Sequence, residues 1–159
     1  MNLITLCATF RRPYKFTSSE RRMNLVLDIP VGRNGTSRLV VGDEHTAARV
    51  GSGRIGVLAT PVMINVIEAA ALQCCEDVLP AGHQSLGTRL DVSHVAATPV
   101  GMAIEATVTV TRVEGRKLFF AVSVRDELDL IGEGTHERVV VNVARFDERV
   151  QAKIAAQRR

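Results

Sequence analysis

Between residues 60 and 78 the apolar side chains Met63, Val66, Ile67, Ala70, Ala71 and Cys74 recur at three- and four-residue steps. That spacing predicts one helix with a continuous apolar face. Thr60 is a suitable N-cap with Pro61 at the first helical position, and Pro80-Ala81-Gly82 marks the stop. Downstream the period falls to two. Ile104, Ala106, Val108 and Val110 alternate with Glu105, Thr107, Thr109 and Thr111, the pattern of a half-buried antiparallel strand. Glu114-Gly115-Arg116 predicts a hairpin turn, residues 117–126 the returning strand, and residues 131–143 a last long strand. A charged helix follows over 146–157, and short strands are expected at 25–29 and 37–41, with a turn at 32–35. One apolar helix against an antiparallel sheet defines an α+β domain.

Residues 85–99 read as a further strand ending in a turn, with His94 near its exit. Strand side chains alternate, so Leu90, Val92 and His94 share a face, and the histidine points where the apolar residues point. Such a residue is either a hydrogen-bonded core histidine or a group that moves protons near neutral pH.

The chain has 159 residues, 46% of them apolar, enough for one domain with a real core. Aromatic residues are 4% with no Trp, which argues against binding single-stranded nucleic acid by base stacking. The net charge of +3 is mild, and much of the excess lies at the termini, so a nucleic-acid partner is not expected. Cys7, Cys74 and Cys75 make no paired framework, which fits a reducing compartment, and the expected location is the cytoplasm. The four histidines lack metal-ligand spacing on any one element, so no metal is expected. No apolar run has the length of a membrane span. Residues 1–22 are basic and without sustained period, and are expected to form a flexible extension without chemistry, followed by a single domain over 23–159. Met1-Asn2-Leu3 recurs as Met23-Asn24-Leu25, which makes Met23 an alternative start. Gly51, Gly53 and Gly56 make the stretch before the helix flexible, but no Gly-Lys-Ser/Thr follows to form a phosphate loop.

Six segments occur in a telling order: Leu58-Ala59-Thr60-Pro61, Val66-Ile67-Glu68-Ala69-Ala70, Ser85-Leu86-Gly87-Thr88, Val92-Ser93-His94-Val95-Ala96-Ala97-Thr98-Pro99, Val113-Glu114-Gly115-Arg116 and Gly132-Glu133-Gly134-Thr135-His136-Glu137-Arg138. Together they resemble the fluoroacetyl-CoA thioesterase-like family of hotdog-fold proteins, from about residue 40 to about residue 152. The resemblance implies a sheet wrapped around the long helix, a homodimer or dimer of dimers, and an acyl-CoA substrate. It implies no cofactor beyond the coenzyme A of the substrate. It places the family's threonine, glutamate and histidine at Thr60, Glu68 and His94, and its glycine and arginine at Gly87 and Arg138. The fluoroacetyl-specific member carries a phenylalanine-bearing lid where this chain has Gly51-Ser52-Gly53-Arg54. Acyl-CoA hydrolysis is therefore expected without fluoroacetyl specificity, on a small or medium acyl group.

Each candidate also has a structural reading. Thr60 caps the helix, or offers a hydroxyl where backbone amides and the dipole favour developing negative charge. Glu68 is a carboxylate on the polar edge of the helix, or an orienting group for catalysis. It lies eight residues beyond Thr60, about 12 Å along the axis, so the two cannot touch within one helix. Gly87 opens a strand, or lets backbone approach the acyl group closely. Arg138 forms a salt bridge, or contacts the active site or a coenzyme A phosphate. His136 has no separate case and is expected to be structural. The rival functions are a non-catalytic acyl-CoA binding module and an enoyl-CoA hydratase, whose Asp-x-Asn-Pro-like signature is absent.

Overall fold

The computed structural model describes residues 27–157. The expected extension over 1–22 lies outside the described residues. Five strands form one antiparallel sheet: β1 (Asn34–Val40), β2 (His83–Val92), β3 (Ala103–Glu114), β4 (Lys117–Asp126) and β5 (Leu130–Asn142). Their spatial order is β1-β3-β4-β5-β2, so β1 and β2 are the edges. A short helix, α1 (Ala47–Val50), precedes the long helix α2 (Thr60–Cys75), and α3 (Val143–Gln157) closes the chain.

Helix α2 buries Met63, Val66, Ile67, Ala70, Ala71, Cys74 and Cys75, the expected face with one residue added. They pack on the inward residues of β3 and β4, among them Ile104, Val108, Val110, Leu118, Phe120 and Val124. Each large apolar side chain so buried contributes about 1.5–3 kcal/mol, and this is what holds helix to sheet. Register shifts interrupt pairing between Gly87 and Arg89, between Val110 and Arg112, and between Val124 and Arg125. Such bulges increase local twist, which curls the sheet around the helix. The result is the hotdog arrangement, an α+β fold.

The sequence expectations need three adjustments. Residues 27–29 are not a strand, and residues 25–26 lie outside the described set. Ile29 is buried in the core, so its apolar character serves packing and not ladder pairing. The helix ends at Cys75, with a single 3₁₀ turn over Glu76–Val78. Strand β2 begins at His83 and stops at Val92. Past that point the chain still follows β5 through Ser93 N–H to Glu133 O at 2.9 Å and Val95 N–H to Ile131 O at 2.8 Å. Among the described residues no helix is long and apolar enough to cross a membrane.

Candidate active site

The Thr-Pro that ends the His94 segment fixes where that histidine sits. Leu58 N–H donates to Thr98 O at 2.9 Å, and Val57 bridges to Pro99. Thr98, fully buried, donates its hydroxyl to Asp126 Oδ2 at 2.9 Å, tying the same segment to the turn after β4. The His94 segment is thus bolted to the two residues that lead into α2. Thr60 Oγ1 and His94 Nδ1 lie 2.9 Å apart as a consequence.

Thr60 is not the cap it was expected to be. Ala59 occupies the N-cap position and Thr60 is already helical, with no side-chain hydrogen bond to the helix backbone. A cap needs its oxygen over the amides of the first turn; the hydroxyl here faces the histidine instead. His94 is half-buried, and desolvation pushes its pKa below the ordinary histidine value of 6.5, so the ring is neutral at neutral pH. In the tautomer protonated at Nε2, Nδ1 accepts the Thr60 proton, the relation of base to nucleophile. Nε2 is buried and has no partner among the described residues. Beside the pair opens a cleft of about 360 Å³, lined also by Ser52, Arg54, Ile55 and Val95.

The other candidates form a second group, farther along α2. Arg138, on β5 directly opposite Gly87 of β2, is 3% exposed. Its guanidinium donates to Glu68 Oε2, to Ser85 Oγ at 2.8 Å and to Ser85 O at 2.9 Å. Ser85 in turn donates its hydroxyl and its backbone N–H to Glu76 Oε1, at 2.6 and 2.8 Å. His136 is fully buried, stacked on Phe120 with ring centroids 5.9 Å apart. Its Nδ1 is 2.9 Å from Arg89 O and therefore carries the proton, leaving Nε2 to accept from Arg138 Nη1 at 3.4 Å. Burial pushes its pKa down, and the neighbouring guanidinium pushes the same way.

The salt-bridge reading of Arg138 is the one these contacts match. Its donors face protein acceptors inside the fold, and the side chain is too enclosed to reach a coenzyme A phosphate. Gly87 has a spatial reason: a Cβ there would overlap Glu68 Oε1, so the carboxylate rests against bare backbone. Gly132, in the Gly-x-Gly run of β5, is similar, since a Cβ would come within 2.7 Å of Ser93 O.

Thr60 pairs with His94, and Glu68 with Arg138 beside Gly87, but the two groups do not meet within the chain. Sequence reasoning missed Ser85 and Glu76 and left His136 without its contact to Arg138. The period of two was the available signal, because Ser85 and Gly87 share a face of β2, and His136 and Arg138 a face of β5. Among the described residues no three His, Cys, Asp or Glu side chains are placed to hold a metal ion.

Residues 41–144 match the family described as fluoroacetyl-CoA-specific thioesterase (FlK). The fluoroacetyl-CoA thioesterase of Streptantibioticus cattleyicolor is 41% identical over 100 residues, which are 63% of this chain and 72% of that protein. Among solved structures, a mutant of the fluoroacetyl-CoA-specific thioesterase in complex with fluoroacetate and CoA aligns with a TM-score of 0.70 and 36% identity. The alignment covers 74% of this chain and 98% of that one. A thioesterase superfamily member from Thermus thermophilus aligns with a TM-score of 0.75 and 26% identity, over 82% and 99% of the two chains. With the family match spanning most of its length and the fold agreeing, the chain belongs to the fluoroacetyl-CoA-specific thioesterase family and is a thioester hydrolase of the hotdog fold.

Proposed function

We propose that this protein hydrolyses a small or medium acyl-CoA thioester to the free acid and coenzyme A, with no preference for the fluoroacetyl group. The observation that carries the reading is the 2.9 Å contact between Thr60 Oγ1 and His94 Nδ1 at the mouth of the cleft. His94 takes the proton of the Thr60 hydroxyl, or of a water that this hydroxyl holds. The freed oxygen attacks the thioester carbon, the C–S bond breaks, and the imidazolium returns the proton to the departing sulfur. If Thr60 is the attacking atom, a water repeats the sequence to release the acid. The solved relative bound to fluoroacetate and CoA supports a binding site for such a substrate in this fold.

Glu68 is assigned an orienting role, and Gly87 close approach to the acyl group. Thr60 is exposed at the start of α2, the Glu68 side chain is 30% exposed where it meets β2 and β5, and Leu72, one turn further on, is 40% exposed. Strand β2 is an open edge beside them. Exposed edges favour pairing with another chain, and a two-fold dimer brings one subunit's Glu68 and Gly87 toward the other's Thr60 and His94. The unpartnered His94 Nε2 supports this reading. The proposed location is the cytoplasm, where the free thiols of Cys74 and Cys75 stay reduced.

Thiol release from a panel of acyl-CoAs tests the hydrolysis. Equal specificity constants for fluoroacetyl-CoA and acetyl-CoA, within a few-fold, are expected; a large preference for the fluorinated substrate would defeat that part. Mixing inactive Thr60→Ala and Glu68→Gln variants tests the shared site. Partial recovery of activity is expected on subunit exchange. No recovery with exchange confirmed, or a monomer by light scattering, would overturn it.

A further inference from the structure

The cleft beside Thr60 and His94 has one charged side chain among its lining residues, Arg54, and no carboxylate. Arg54 is exposed, and among the described residues it makes no ion pair and no hydrogen bond. Arg33, Arg89, Arg112 and Arg138 each have a carboxylate partner; of the described arginines that lack one, Arg54 is the one that lines this cleft. A guanidinium without a counter-ion, set in a cleft whose other lining, the neutral His94 ring apart, is small, apolar or hydroxylic, is complementary to an oxyanion. Its planar fork matches a carboxylate with two parallel hydrogen bonds.

Two parts of an acyl-CoA bear anions: a carboxylate at the far end of the acyl group, and the phosphates of coenzyme A. The phosphates are separated from the sulfur by the whole pantetheine arm. Arg54 shares with Thr60 a space of about 360 Å³, at the small end of ligand pockets. An anion held there, beside the Thr60 hydroxyl, is placed to belong to the short end of the substrate. Resting on the proposed acyl-CoA hydrolysis, we propose that Arg54 determines specificity by binding a terminal carboxylate. The preferred substrate is then the mono-CoA thioester of a short dicarboxylic acid. An apolar acyl terminus would strip water from the guanidinium and return nothing to it, so the same residue selects against neutral chains of equal length.

The test compares acyl groups that differ only at the far end: succinyl-CoA against butyryl-CoA and malonyl-CoA against propionyl-CoA, each corrected for uncatalysed hydrolysis. Charge-assisted bonds to a carboxylate predict kcat/KM about ten- to a hundredfold higher for the dicarboxylic member of each pair. In Arg54→Gln the ratio falls toward one, and in Arg54→Glu below one. Using a ratio within each variant removes differences in folding or active fraction. The same pairs as pantetheine thioesters, which lack the nucleotide phosphates, keep the preference if the carboxylate is the anion bound. If Arg54→Gln instead weakens succinyl-CoA and butyryl-CoA alike, and has no effect on the pantetheine thioesters, Arg54 serves the coenzyme phosphates and the proposal is overturned. Turnover of butyryl-CoA equal to that of succinyl-CoA overturns it while leaving the hydrolase reading intact. No turnover of any thioester overturns both.

Discussion

Helix α2 carries two polar groups that are finished to different degrees. At its start, Thr60 is exposed, its hydroxyl meets only the His94 ring, and one nitrogen of that ring is buried without a partner. Two turns on, Glu68 rests against Gly87 and receives Arg138, which also grips Ser85 twice, while Ser85 is held by Glu76. The second group is a saturated network, and such networks hold geometry. The first keeps its bonding capacity open, which a reacting pair requires. On the proposed mechanism, the contrast separates residues that act from residues that position them.

The sharpest way to break this comparison is His94→Ala. Hydrolysis is expected to fall by at least about a hundredfold, the usual scale for loss of a general base, with circular dichroism and melting temperature little changed. Near-normal turnover from a folded variant would remove the open group from the mechanism. Arg138→Leu tests the saturated group, and stability should fall by about 2–3 kcal/mol in urea unfolding. That is below the roughly 3–5 kcal/mol for a fully buried pair, because Glu68 is 30% exposed. A loss under about 0.5 kcal/mol would show that the network does not stabilise the fold. Gly87→Ala joins the two halves, since its methyl displaces Glu68. We expect kcat to drop by about tenfold or more, as misplaced groups cost rate steeply, with a smaller change in melting temperature. Unchanged kcat would mean that the position of Glu68 is immaterial to turnover.

Acidification gives the mildest effect. The pKa values of His94 and His136 are both lowered in the folded chain, chiefly by burial. Below the ordinary histidine value of about 6.5 the unfolded chain therefore binds more protons than the folded one. Stability is full above that value and declines as pH falls toward the folded pKa values. Activity, which on the proposed mechanism needs neutral His94, should keep its plateau to a pH below 6.5 and then fall. A pH–rate profile whose acid limb lies above 6.5 would contradict the direction of the shift.

Much of this was legible in the order of residues. The buried face of α2, the alternation in β3 and the hairpin at Gly115 follow from local periodicity and turn chemistry, and the structure has them where expected. Thr60 and Arg138 were legible as candidates but not in their contacts. A threonine before a proline satisfies the capping rule by itself, and its turn toward His94 depends on the Thr98 bond to Leu58, forty residues away. Ser85, Glu76 and His136 stayed hidden as partners because their meaning arises only when β2 lies beside β5 and Arg138 comes to stand between them. The described part of the 25–29 expectation, residues 27–29, shows the opposite error: the apolar pattern promises a strand, yet Ile29 is used for packing alone.

The stretch from Gly51 to Gly56 is held differently from everything around it. The amides of Gly51, Ser52 and Gly53 all turn to a single acceptor, the carbonyl of Ala47, at 3.1 to 3.2 Å. All six residues are exposed, and none belongs to the buried core. Selection can therefore rewrite this segment, exchanging one side chain over the cleft for another, without disturbing the residues on which folding depends. Loops of this kind are where a lineage changes its diet while its scaffold stays put. Within one such scaffold, the range of acyl groups accepted should drift far faster than the threonine and histidine proposed to cleave them.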